Sequence, residues 1–92
     1  MNSEQTKKAA EILEHYGNKH QMQKTCEKLA ELQCEILKFL NKKGSLNNIF
    51  DEMVDVIVMV EQLKIMLPVS TAQIDKHIDF KLDRTIERMR KK

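Results

Sequence analysis

Two groups of carboxylates have spacing that could do chemistry. Glu27, Glu31 and Glu35 recur every four residues, and Glu52 and Asp55 lie three apart in an otherwise apolar stretch. At about 100° per residue in a helix, the first group forms one row with Glu31 and Glu35 at the edge of an apolar face, and the second pair projects within roughly 60° of each other. Val56, Met59, Leu63 and Met66 continue the face of Glu52 and Asp55. Carboxylate oxygens are hard ligands, and facing helices of bundles build divalent metal sites from them, because acids in apolar surroundings are costly unless a cation neutralises them. An antiparallel helix pair would bring Glu31 and Glu35 to Glu52 and Asp55. The same spacing also describes a solvated acidic row on one helix and, on the other, a helix start where the dipole favours anions. Spacing alone leaves both readings open.

The elements that must position these residues are helices. Gly and Pro together number three, aromatics are 4%, and Leu, Ile, Met, Glu and Lys dominate, so the expected fold class is all-α. Gly17, Gly44 and Pro68 divide the chain into four helical stretches, expected to form a four-helix bundle. The first, over 3–16, carries a stripe of Ala9, Ile12, Leu13 and Tyr16 and is expected to pack as a lid or flank. The second, over 18–43, gathers Leu29, Leu32, Ile36, Phe39 and Leu40 on one face and ends in Lys42, Lys43 and Gly44. Ser45 or Asn48 can cap the third, which Pro68 ends and whose first turns hold Asp51 and Glu52. Ser70 and Gln73 form a capping-box pattern for the fourth, which runs through Ile74, Ile78, Leu82, Ile86 and Met89 to a basic end.

Length and charge bound the rest. Ninety-two residues make a single domain over 1–92, and so short a chain buries only about 60 to 65% of its unfolded surface. The net charge of +2 is scattered in both signs, so no global field points to nucleic acid or a membrane. The most apolar window, 49–67, contains Asp51, Glu52, Asp55, Glu61 and Lys64, too many charges for a spanning helix. Cys26 and Cys34 would stand roughly 12 Å apart on one helix, too far to bridge. With a polar stretch from Met1 to Lys8, they fit a soluble protein of the reducing cytoplasm. Val54, Ile57, Val58 and Ile65 make the opposite face of the third helix apolar as well. One bundle face cannot cover such a helix, so a homodimer or homotetramer built on it is expected. His15, His20 and His77 lack metal-ligand spacing, and no serine triad, Gly-rich phosphate loop or CxxC occurs.

In order and content, the stretch from Tyr16 to Leu63 resembles the all-α nucleoside triphosphate pyrophosphohydrolases, the MazG-like group. It holds Tyr16-Gly17, His20-Gln21, Glu27-Lys28-Leu29-Ala30-Glu31-Leu32 and, after an interval, Asp51-Glu52-Met53-Val54-Asp55-Val56. The family pattern is Glu-Glu-x-x-Glu on one helix and Glu-x-x-Asp on the next. Glu27, Glu31, Glu52 and Asp55 fit it, and Glu61 to Lys64 with the basic last helix are similar to small phage or prophage-type members. The resemblance implies a site for Mg²⁺, with Mn²⁺ as an alternative, and hydrolysis of a nucleoside triphosphate to monophosphate and pyrophosphate. Glu31, Glu52 and Asp55 would be its catalytic and metal residues, with Glu27 as a further ligand. Such a site suits the chemistry, because a carboxylate-held cation neutralises phosphate charge and lowers the pKa of a bound water. Gln21, Lys81 and Arg84 are candidates for substrate binding, the last two reading equally as a solvated basic face.

One position departs from the pattern. Residue 28, where the family has the second Glu of its pair, is Lys. An ammonium cannot ligate Mg²⁺ but can stand among Glu31, Glu52 and Asp55 as a substitute cation, and Glu35 projects near the direction of residue 28 as a possible replacement ligand. Three functions follow as expectations: a Mg²⁺-dependent pyrophosphohydrolase; a catalytically silent member that binds nucleotide or a protein; and a helical adaptor whose basic tail, 84–92, touches nucleic acid or acidic protein.

Overall fold

The computed structural model describes residues 1–91. Among them are four α-helices and no strand: α1 (Ser3–Tyr16), α2 (Asn18–Leu40), α3 (Leu46–Met66) and α4 (Thr71–Arg90). Asn2 caps α1, accepting from Gln5 N at 2.8 Å while its own N donates to Gln5 Oε1 at 3.0 Å. Gly17, at φ 90°, separates α1 from α2 in a conformation that only glycine adopts freely. The α2–α3 turn differs from expectation in where it bends. α2 stops at Leu40, and the left-handed residue is Lys42 at φ 61° rather than Gly44. Gly44 serves close approach, since a Cβ there would come within 3.1 Å of both Lys38 Cβ and Phe39 N. Ser45 caps α3 by accepting from Asn48 N at 3.1 Å. Because α3 begins at Leu46, Asp51 and Glu52 lie beyond its first turn, and the helix dipole does not account for them. Ser70 and Gln73 form the expected reciprocal cap of α4, at 2.7 and 3.1 Å.

The principal packing is α2 against α3, with α1 laid across both. Cross-helix partners advance along α2 as they retreat along α3: Gln21 with Gln62, Lys28 with Asp55, and Glu31 with Glu52. The pair is therefore antiparallel. α4 packs on none of the other three helices, and its residues are exposed apart from the half-buried Ile74. The expected four-helix bundle is thus three packed helices and a fourth that projects from them, because the extended segment after Met66 carries α4 clear of the pair.

The interior is more polar than the apolar stripes suggest. Ala9, Leu13 and Met59 are the buried hydrophobic residues, and Gln21, Thr25 and Gln62 are buried beside them. Gln62 is fully enclosed, accepting from Gln21 Nε2 at 2.8 Å and donating to Ala9 O at 3.1 Å, so one side chain ties α1, α2 and α3. Thr25 returns its hydroxyl to Gln21 O at 2.7 Å. Such a network is stable in an interior only because its members find partners. No helix among the described residues is long and apolar enough to cross a membrane.

Candidate metal centre

The α2–α3 seam positions the acids. Along α2 the residues turned to α3 are Gln21, Thr25, Lys28, Leu32 and Glu35, all buried or half-buried. Along α3 they are Glu52, Asp55, Met59, Gln62 and Met66. Both rows follow the alternating three- and four-residue spacing that keeps a helix face on its partner. Near the middle of the seam, Glu31, Glu52 and Asp55 each offer a carboxylate oxygen, and the three oxygens lie within 4.8 Å of one another.

Lys28 enters the same cluster. Its Nζ stands 3.3 Å from Glu31 Oε2 and 3.5 Å from Asp55 Oδ2, with about a quarter of its side chain exposed. The hydrogen bond to Glu31 is the main reason its ammonium is held above the ordinary lysine value, and the charges of Glu31 and Asp55 add to it. Glu31 and Glu52 face each other, so one proton between them relieves their repulsion. Burial pushes Glu52 up from the ordinary glutamate value, and the neighbouring Glu31 pushes it further. Glu31 is held down by its contact with Glu52 and then by Lys28. Glu52 Oε2 is buried without a hydrogen-bond partner.

The other sequence candidates are placed elsewhere. Glu27 points outward and pairs with Lys24 at 3.8 Å. Glu35 lies on the seam one turn beyond Glu31, outside the cluster, with Lys38 3.2 Å from one oxygen and its other oxygen buried and unpartnered. Gln21 is buried in the tie to Gln62, which occupies its amide; the neighbouring His20 ring nitrogen lies 2.7 Å from its oxygen. Lys81 and Arg84 ride on α4 and meet none of the acids within the chain, and Arg84 lies over the Phe80 ring at 5.5 Å. The residue that sequence reasoning missed is Gln62. Its signal was present: a glutamine interrupts the apolar stripe between Met59 and Met66, as a polar tie would.

Chemically, three carboxylates with an unpartnered buried oxygen form a donor set that fits a hard divalent cation, and the ammonium of Lys28 competes for the same oxygens. No family model, curated protein or solved structure matches the chain.

Proposed function

We propose that this protein is a Mg²⁺-dependent nucleoside triphosphate pyrophosphohydrolase of the MazG-like kind, working as a homodimer or homotetramer. The observation that carries the reading is the convergence of Glu31, Glu52 and Asp55 from two helices within 4.8 Å. These three side chains would hold the cation, Mg²⁺ or Mn²⁺. When bound, it supplies neutralisation of triphosphate charge and a more acidic water. The chain's own contribution is placement. Gln62 and Gln21 fix the register of α2 on α3, and that register sets which acids meet. Glu52, whose ionisation burial opposes, is the carboxylate that an added cation would ionise most.

A second reading draws on one specific contact. Lys28, 3.3 Å from Glu31 and 3.5 Å from Asp55, already gives the acids a positive partner, as a catalytically silent member that binds nucleotide or protein would have. Pyrophosphate release from a panel of nucleoside triphosphates, with and without Mg²⁺, separates the two. Turnover that requires Mg²⁺ and is lost in Glu52→Gln is expected. Nucleotide binding without turnover at any Mg²⁺ or Mn²⁺ concentration would select the silent form.

A further inference from the structure

We propose that α4 is a docking surface for single-stranded nucleic acid, which it holds by phosphates on Lys81, Arg84 and Arg88 and by bases stacked on a His77–Phe80–Arg84 ladder. The proposal goes beyond the pyrophosphohydrolase reading and uses none of the acids of the α2–α3 seam. Charges that are scattered along the chain as a whole are sorted on this helix. At about 100° per residue, α4 has three sectors with centres roughly 120° apart. One is apolar, with Ile74, Ile78, Leu82, Ile86 and Met89. The second holds Asp75, Asp79, Asp83 and Glu87, partly offset by Lys76 and Arg90. The third, an arc of about 100°, holds His77, Phe80, Lys81, Arg84 and Arg88 and no acid.

This third sector is open and its cations are uncommitted. α4 packs on none of the other helices, and all five side chains are exposed. Among the described residues, α4 and its cap make one ion pair, Lys91 with Glu87 at 3.2 Å, and Lys81, Arg84 and Arg88 take part in none. One turn before Phe80, the His77 ring stacks on it with centroids 5.9 Å apart and planes 19° from parallel; one turn after it, the Arg84 guanidinium lies 5.5 Å from the ring centre. The ladder restrains Arg84 without using its N–H donors. Whatever covers the apolar sector leaves this one accessible, because the two face different directions.

Charge and shape select the occupant. A helix that lies on an anionic bilayer has a basic polar face, and half of the polar face of α4 is acidic. A duplex groove wide enough for a helix presents a strand to each flank, so its second strand would meet Asp75, Asp79, Asp83 and Glu87. An acidic protein would answer the three cations and leave the ladder unused, whereas aromatic rings and guanidinium planes are the surfaces on which unpaired bases stack. A single strand answers both features. The three cations rise about 4.5 and 6 Å apart along the helix axis, one row for the successive phosphates of one strand.

Fluorescence anisotropy of a labelled oligo(dT) of about twenty nucleotides, titrated with the full chain, tests this. EDTA keeps divalent cations at the acid cluster out of the reading. Binding with a Kd of about 10⁻⁵ M is expected at low salt, and with three phosphates neutralised the affinity should fall about 20-fold between 50 and 200 mM salt. Lys81→Gln, Arg84→Gln and Arg88→Gln should each weaken binding several-fold and flatten the salt dependence, with helicity by circular dichroism unchanged. Phe80→Leu should weaken binding and leave the salt dependence as it was, a separation that loss of charge cannot produce. Asp83→Asn should bind at least as tightly as the parent. No binding at 50 mM salt and millimolar protein overturns the proposal, as does affinity indifferent to the three cation variants or to Phe80→Leu. A duplex of the same length that binds as tightly overturns it too, and so does polyglutamate or tripolyphosphate that displaces the probe as well as unlabelled oligo(dT) does at equal charge.

Discussion

Lys28 is the residue on which the proposed activity turns. Its ammonium stands against Glu31 and Asp55, so a divalent cation entering the cluster must displace it. Lys28→Glu removes that competitor and adds a fourth carboxylate, which should strengthen Mg²⁺ binding and raise Mg²⁺-dependent pyrophosphate release. Without Mg²⁺ the same variant places four acids together, so its thermal melting point should fall below that of the parent and recover further on Mg²⁺ addition. Equal turnover and an equal Mg²⁺ shift in both proteins would place residue 28 outside the metal shell. The pH dependence of stability follows from the same contacts. Lys28 is held above its ordinary 10.5, so its contribution is complete below that value and is lost only as pH rises through the raised one. Glu52 is raised, so its contribution is present below 4.5 and is lost as pH climbs through its raised value. Glu31 is lowered, so its contribution is present above 4.5 and is lost as pH falls through its lowered value. Lys28→Met removes one support of Glu31 and leaves Glu52 more strongly raised. Urea midpoints should show the variant losing ground to the parent as pH rises above 4.5 towards neutrality, and converging with it in acid, where the carboxyls of both are protonated. The loss should shrink with added salt, because these groups remain partly solvated.

At the scale of elements, the helix ends were readable and the packing face of α2 was not. Ser45, Ser70 and Gly17 act where they stand in the sequence, because caps and positive-φ glycines depend on neighbours only a few residues away. α2 carries two interlocking rows one residue apart, and hydrophobicity favours the row of Leu29, Ile36 and Leu40. Within one chain that row faces out, while Gln21, Thr25, Lys28 and Glu35 face α3. The long-range bonds of Gln62 and the Lys28–Asp55 pair hold the choice, and although Gln62 stands out within its stripe, nothing local says which residues of α2 and α1 it meets. The candidate site was legible for the complementary reason. Antiparallel pairing was expected to bring Glu31 and Glu35 to Glu52 and Asp55, and it brings Glu31 while Glu35 stays one turn outside, whereas joining Lys81 and Arg84 to them would need α4 to fold back, which it does not. The same coupling predicts unequal effects of two similar caps. Removing a side-chain cap costs a helix about 1 kcal/mol. Asn2 caps α1, which Gln62 ties to the pair, so Asn2→Ala should lower the global unfolding free energy by about that amount. Ser70 caps α4, which touches no other helix, so Ser70→Ala should fray α4 in hydrogen exchange and leave the unfolding midpoint of α1 to α3 unchanged. Equal drops in the midpoint would show that α4 is coupled to the rest.

At the scale of the whole molecule, the single chain is extended and its core is thin. Its radius of gyration is 16.1 Å, against about 12 Å for a compact domain of this length. Ala9, Leu13 and Met59 are the buried hydrophobic residues among those described. Fully burying a large apolar side chain contributes about 1.5 to 3 kcal/mol, and beyond these three positions the chain only half-buries Leu32, Val56, Val58, Leu63 and Met66, so the core set against the conformational entropy of four helices is thin. More apolar surface is present but turned outward, on Leu29, Ile36, Met53, Ile57 and Val60. For the homo-oligomer proposed above, folding and assembly should be one event, because obligate homodimers often have no stable folded monomer. For a dimer that unfolds directly to separate chains, mass action stabilises the folded form by about 1.4 kcal/mol for each tenfold rise in chain concentration. Urea unfolding followed by circular dichroism over a hundredfold concentration range should therefore show the midpoint climbing steadily with no change in slope, and helicity and sedimentation mass should be lost together. A midpoint independent of concentration would mean that α1 to α3 are stable alone, and the outward apolar rows would then need an explanation other than self-association.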